Sequence, residues 1–234
     1  MTDESGGVTD LAGTLLSRLE AGFAARRDPE RAAAMAAYMR DQFEYFGLPA
    51  PAVRAVERAA FAGLPRPTEA DLRAVALAGW AREEREFHYA SCDYLRKHVA
   101  AAGPGFVPVL HTLITTKSWW DTVDPLATRV TGDLMRAYPE LVEVMDEWSA
   151  DENIWLVRTA LLFQLHYGTA TDTERLFGYC ARQAGHRDFF VRKAIGWALR
   201  HYARTDPSEV RAFVAETPAL SPLSRKEALK HLPG

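Results

Sequence analysis

One motif in this chain recurs at a fixed step. Val157-Arg158-Thr159-Ala160-Leu161 returns 34 positions later as Val191-Arg192-Lys193-Ala194-Ile195. The same step backwards lands on Val123-Asp124-Pro125-Leu126, and again on Tyr89-Ala90-Ser91-Cys92. Aromatics precede three of the four segments: Trp119-Trp120, Trp155 and Phe189-Phe190. A period of this length belongs to a pair of helices that cannot bury its apolar stripe alone and stacks on the next pair. The expected fold is therefore all-α: an α-solenoid of stacked helix pairs, curved, with a concave face lined by successive second helices. The step also suits tetratricopeptide repeats, but their Trp-x2-Leu-Gly signature is missing, and short HEAT-like pairs fit better. Stacking leaves no independent boundary. The expectation is one domain over residues 9–234, preceded by a disordered tail at 1–8, with Leu232-Pro233-Gly234 frayed.

Local signals agree with helices. Period-two alternation is scarce, while apolar residues recur three and four apart among Ala, Leu, Arg and Glu. Asp28-Pro29-Glu30, Asp206-Pro207-Ser208-Glu209 and Ser221-Pro222 each set a side-chain acceptor at the cap and proline at the first helical position. Thr68-Glu69-Ala70-Asp71 has the form of a capping box.

Composition narrows the class. Among 234 residues, 48% are hydrophobic and 25% charged, which excludes collagen-like, low-complexity and disordered chains. Two cysteines, Cys92 and Cys180, make no disulfide framework, and no Cys/His cluster suggests zinc. The acidic start MTDESGGVTD is no secretory signal, and no apolar run approaches a membrane span. A cytoplasmic protein without membrane contact is expected. The net charge of −3 conceals an asymmetry: residues 1–152 hold 16 Lys/Arg against 24 Asp/Glu, and residues 153–234 hold 12 against 7. A basic final third suits a polyanion; an uneven scatter of solvated charge is the plainer alternative.

Equivalent positions of stacked repeats share a surface, so the step places Asp124, Arg158 and Arg192 in one row. That row could meet a charged ligand, or it could be a set of inter-repeat salt bridges. In Lys117-Ser118-Trp119-Trp120-Asp121-Thr122-Val123-Asp124, Ser118 can cap a helix starting at Trp119. Trp120 and Asp124 then share a face, while Trp119 and Val123 can enter the core. A carboxylate held beside a large aromatic reads either as a site or as a solvated charge next to a core tryptophan. Further on, Lys193, Trp197, Arg200 and Arg204 fall on one face. Cations with an interleaved indole suit a sugar-phosphate backbone. The alternative is a snorkelling basic stripe around a core Trp, although Ala194, Ile195, Ala198 and Leu199 already supply a core. Arg158, one turn into its helix, is the expected phosphate contact near Asp124.

At these residues a family resemblance enters. TKSWWDTVD (116–124), DENIWLVR (151–158) and VRKAIGWALRHYA (191–203) resemble the AlkD-type DNA alkylation-repair glycosylases, as do RAAAMAAYMRDQFEYFG (31–47) and PLSRKEALKHL (222–232). The resemblance runs from about residue 10 to the C-terminus. It implies a HEAT-like repeat enzyme that hydrolyses the N-glycosidic bond of cationic alkylated purines, such as N3-methyladenine and N7-methylguanine, in duplex DNA. It also implies capture of the lesion without the base flipping usual for glycosylases. It assigns the catalytic carboxylate to Asp124, the sugar-contacting tryptophans to Trp120 and Trp197, and a phosphate contact to Arg158. Tyr38, Arg54, Lys193 and Arg200 fall at the expected DNA interface. Pro49-Ala50 departs from the pattern where relatives carry polar residues toward the opposite strand. No metal and no cofactor are implied, and a monomer suffices.

The chemistry stands without the family name. An N3- or N7-alkylated purine is cationic and already a good leaving group, so no strong acid on the base is needed, unlike in glycosidases. Cleavage leaves positive charge near C1′, which a carboxylate can stabilise while it orients or deprotonates water. Two other classes fit the same residues. A DNA-binding solenoid without turnover would bind duplexes with steep salt dependence. A HEAT-type adaptor for an acidic protein segment would bury Trp120 and Trp197.

Overall fold

The computed structural model describes residues 10–232. The expected N-terminal tail at 1–8 lies outside them. The described residues form helices joined by turns and loops, with one isolated bridge between Glu44 and Glu84. None of these helices is long and apolar enough to cross a membrane. The chain packs as two compact units that meet in sequence between Val109 and Leu110.

The first unit holds α1 (Asp10–Ala24), α2 (Pro29–Tyr38), α3 (Ala50–Phe61), α4 (Glu69–Trp80) and α5 (Arg85–His98). The caps read from sequence are present: Asp28 accepts from the Arg31 N–H, and Thr68 and Asp71 close a reciprocal capping box. α1 packs on α3 and α4, and α5 on α3 and α4, around Phe23, Phe46 and Phe87. The loop before α3 is fixed by a carboxylate. Fully buried Glu86 accepts from the backbone N–H groups of Phe46, Gly47 and Leu48 at 3.0, 2.9 and 3.2 Å. Gly47 is required there. Its φ is +92°, and a Cβ would lie 2.2 Å from the Asp28 carbonyl oxygen.

Helix α6 (Val107–Thr115) spans the boundary. The second unit continues with α7 (Trp120–Pro125), α8 (Gly132–Ala137), α9 (Glu143–Trp148), α10 (Ile154–Leu162), α11 (Thr173–Arg182), α12 (Phe189–Tyr202), α13 (Pro207–Glu216) and α14 (Pro222–Ala228). α7, α10, α12 and α14 follow the repeat step and pack in series, α7 on α10, α10 on α12 and α12 on α14. The step reappears in the bonds between layers, since Asp124 meets Arg158, Ser149 meets Gln183 and Lys193 meets Glu227, each 34 residues on. Asp206 and Ser221 cap α13 and α14 as expected, and Asp188 caps α12. This unit is a stack of helix pairs, and the fold class is all-α.

Candidate active site

The entry to α7 differs from the sequence expectation. The helix starts at Trp120, with Trp119 as an extended cap residue that offers no side-chain acceptor. Ser118 is no cap, because its hydroxyl donates back to the Ile114 carbonyl at 2.6 Å. Lys117 turns the chain with φ +48°, and the helix begins one residue later than the cap rule suggests. Pro125 then ends the regular ladder. Proline has no N–H to donate, and the backbone widens into a π-helical stretch over 126–131. The Thr128 hydroxyl donates to the Asp124 carbonyl at 2.8 Å across this widened turn.

Asp124 therefore projects from the last turn before a helix defect, and one repeat away it meets Arg158 of α10. The Arg158 Nε donates to Asp124 Oδ1 at 2.7 Å and its Nη2 to Oδ2 at 2.8 Å, a two-pronged pair. The Arg158 Nη1 donates to the Phe190 carbonyl at the start of α12 at 2.5 Å. Their side chains are 6% and 15% exposed, so neither is a solvated surface charge. Burial pushes the Asp124 carboxyl above its ordinary value, against the opposing pull of the Arg158 guanidinium. The pair is an inter-repeat salt bridge, and it lies in a cleft.

That cleft, ≈ 290 Å³, is lined by Trp120, Asp124, Arg158, Phe189, Phe190, Lys193, Trp197, Arg200 and Glu227. Trp120 and Trp197 are half-buried and line the same opening as the carboxylate. The adaptor reading required both indoles in the core, where they are not. Trp119, Trp155 and Phe190 pack as an aromatic triangle, with centroids 5.0 to 5.7 Å apart. Phe189 stands beside them, 50% exposed.

The basic row divides. Lys193 and Arg200 line the cleft, but Arg204 follows the end of α12 and does not. Arg192, expected in line with Asp124 and Arg158, donates instead to the Asp188 carbonyl of its own helix start at 3.3 Å. Ala194, Ile195, Ala198 and Leu199 are buried as the core of α12. Tyr38, 74% exposed, and Arg54, also exposed, lie in the first unit, on α2 and α3.

Glu227 of α14 is a cleft residue that sequence reasoning missed. Lys193 Nζ donates to its Oε1 at 2.9 Å and Arg200 Nη1 to its Oε2 at 2.6 Å, which holds its carboxyl below the usual range. The signal was available, since 193 and 227 are separated by the same step as 124 and 158. Close packing makes the contact possible: a Cβ on Gly196 would lie 2.4 Å from the Glu227 Cβ. Among the described residues no three His, Cys, Asp or Glu side chains assemble as a metal site.

A helical-repeat protein with a buried Asp–Arg pair open to an indole-lined, cation-rimmed cleft is the class that fold and site define together. Comparison with known proteins gives the family. A family model described as DNA alkylation repair enzyme matches residues 19–232, and the chain belongs to that family. A solved structure described as a predicted DNA alkylation repair enzyme from Enterococcus faecalis is 30% identical, with a TM-score of 0.80 over 88% of this chain and 97% of that one. No curated protein matches the chain significantly.

Proposed function

We propose that the protein is a monofunctional DNA glycosylase of base excision repair, acting on cationic N3- and N7-alkylated purines in duplex DNA. The observation that carries this reading is a carboxylate, Asp124, gripped at both oxygens by Arg158 and open on its remaining side to a cleft walled by Trp120 and Trp197.

The N-glycosidic bond breaks with its electron pair leaving on the purine, which neutralises the alkylated ring without an acid. The deoxyribose carries the positive charge near C1′. Asp124 faces that charge, and its free lone pairs orient a water whose oxygen bonds to C1′ as its proton passes to the carboxylate. Trp120 and Trp197 present negative π-faces to the sugar, for roughly 0.5–2 kcal/mol each. Arg158 keeps the carboxylate ionised and aimed. A guanidinium has five N–H groups; three are engaged within the protein, and the other two are assigned to a neighbouring phosphate. Lys193 and Arg200, preorganised on Glu227, take phosphates further along the strand, and Tyr38 and Arg54 approach the duplex from the first unit. A cleft open to the surface admits a lesion without a flipped nucleotide. One copy of the chain suffices.

The test is release of N7-methylguanine from methylated duplex DNA by the wild type and Asp124→Asn. Wild-type release with a loss of at least ~10²-fold in the variant is expected; no release by either protein, or equal rates, contradicts the reading. Duplex binding without release by the wild type would select the non-catalytic DNA-binding alternative.

A further inference from the structure

Away from the cleft, the second unit gathers cations at the C-terminal ends of successive repeats. His166 follows α10 and His201 lies in the last turn of α12; their rings meet edge to face, with centroids 5.3 Å apart. Arg129 of the π-helical stretch acts on both rings. Arg136 of α8 faces His166, donating to its carbonyl at 3.1 Å while lying over the Tyr167 ring at 4.3 Å. Arg200 and Arg204 face His201. Asp133 is a carboxylate that faces His166. Arg129, Arg136, Arg204 and His166 are exposed. The ion pairs of this unit among the described residues use Arg158, Arg175, Lys193 and Arg200, and leave Arg129, Arg136 and Arg204 without a carboxylate.

A cation at a helix C-terminus is ordinary, because it complements the macrodipole. Around two touching imidazoles, the guanidinium groups of Arg129, Arg136 and Arg204 have no carboxylate partner among the described residues and repel one another, while Arg200 is paired with Glu227. Desolvation and these arginines hold both imidazoles below their usual value. A polyanion would reverse the repulsion, and Arg200 belongs both to this patch and to the cleft wall.

We propose that the His166–His201 pair, with Arg129, Arg136 and Arg204, is a second phosphate seat for a nucleic-acid duplex, continuous with the cleft through Arg200. The choice of ligand rests on the reading of the cleft as a DNA site; the patch itself does not depend on base excision. A phosphate at this seat favours the imidazolium forms, so duplex binding takes up protons. Affinity then rises as pH falls through the histidine range, and near pH 8 the arginines act alone.

The experiment measures binding of an unmodified duplex by fluorescence anisotropy at about pH 5.5 and 7.5 over a series of salt concentrations. The proteins are wild type, His166→Gln/His201→Gln and Arg129→Gln/Arg204→Gln, each checked for native melting. The wild type should bind on the order of tenfold more tightly at the lower pH, one pKa unit of linked protonation. The histidine variant should lose that difference and match the wild type at the higher pH. The arginine variant should lower the salt slope by about 2, for two phosphate contacts. NMR of the imidazole protons should show both rings shifting as duplex is added. Pairs bound equally at both pH values, or wild-type affinity and salt slope in both variants, would overturn the proposal. So would rings that respond to inorganic phosphate and not to duplex. Repeating the titration with Asp124→Asn keeps the two readings apart. No base release by the wild type, or equal release by Asp124→Asn, with pH-linked binding intact is a failure of the glycosylase reading; Asp124-dependent release without pH-linked binding is a failure of this one.

Discussion

Each unit buries a carboxylate, and the two are used differently. Glu86 in the first unit has no exposure, and its oxygens accept from three backbone N–H groups of the loop at 46–48. It fixes a loop and has nothing left to offer a substrate. Asp124 in the second unit is held by one side chain, at 15% exposure, on the wall of a cleft. A buried carboxylate becomes chemistry when its partners leave one direction open and when that direction faces a cavity. Glu57 of α3 is a third case. It is 4% exposed, leaves Oε1 without a partner among the described residues, and is raised to about 7 by burial and by Asp93 beside it. It reads as a stability liability.

The largest expected effect breaks the Asp124–Arg158 pair from its cationic side. Arg158→Ala strands a buried carboxylate and should cost about 3–5 kcal/mol in denaturant unfolding, with base release abolished. Arg158→Lys should not restore release, because an ammonium cannot span both oxygens. A lysine variant as active as the wild type would show that the two-pronged grip is incidental. Next come the indoles. Trp197→Ala and Trp120→Ala should each slow excision by about 2- to 30-fold, the kinetic equivalent of the 0.5–2 kcal/mol assigned to each π-face. Changes confined to melting temperature would return them to the core.

Smaller effects follow pH. The proposed mechanism needs the Asp124 carboxylate ionised, and burial raises its pKa, so the acid limb of the single-turnover rate should sit above the ordinary aspartate value of 3.8. A limb at or below that value would mean the Arg158 charge outweighs burial. Glu57 gives the mildest signature. Its folded pKa of about 7 stands above its ordinary 4.5, so between those values the folded chain holds a proton that the unfolded chain has lost. Stability then declines as pH rises through that window, and the full cost is present above about 7. Glu57→Gln should raise the melting temperature at alkaline pH and flatten this dependence, while changing little near pH 4.

Short-range chemistry was legible in the sequence and long-range partnership only in part. The caps at Asp28, Thr68, Asp206 and Ser221 depend on two to four residues of context and stand where the sequence places them. The repeat step supplied one class of long-range contact, which is why Asp124 and Arg158 could be linked before any coordinates. Applied once more, it would have joined Lys193 to Glu227. Ser118 was misread because its helix bond to Ile114 competes with capping and the turn at Lys117 settles the outcome. The Phe190 carbonyl under Arg158 and the N–H cluster under Glu86 carry no side-chain signal, since backbone groups are common to every residue.

On the proposed mechanism Asp124 does chemistry while Glu86 only holds structure. Single-turnover release of N7-methylguanine from methylated duplex, measured for wild type, Asp124→Asn and Glu86→Gln and scaled to folded protein, tests it most directly. A loss of at least ~10²-fold is expected for Asp124→Asn with duplex binding retained, and Glu86→Gln should be less stable yet excise at close to the wild-type rate. Asp124→Asn excising as fast as the wild type would contradict it.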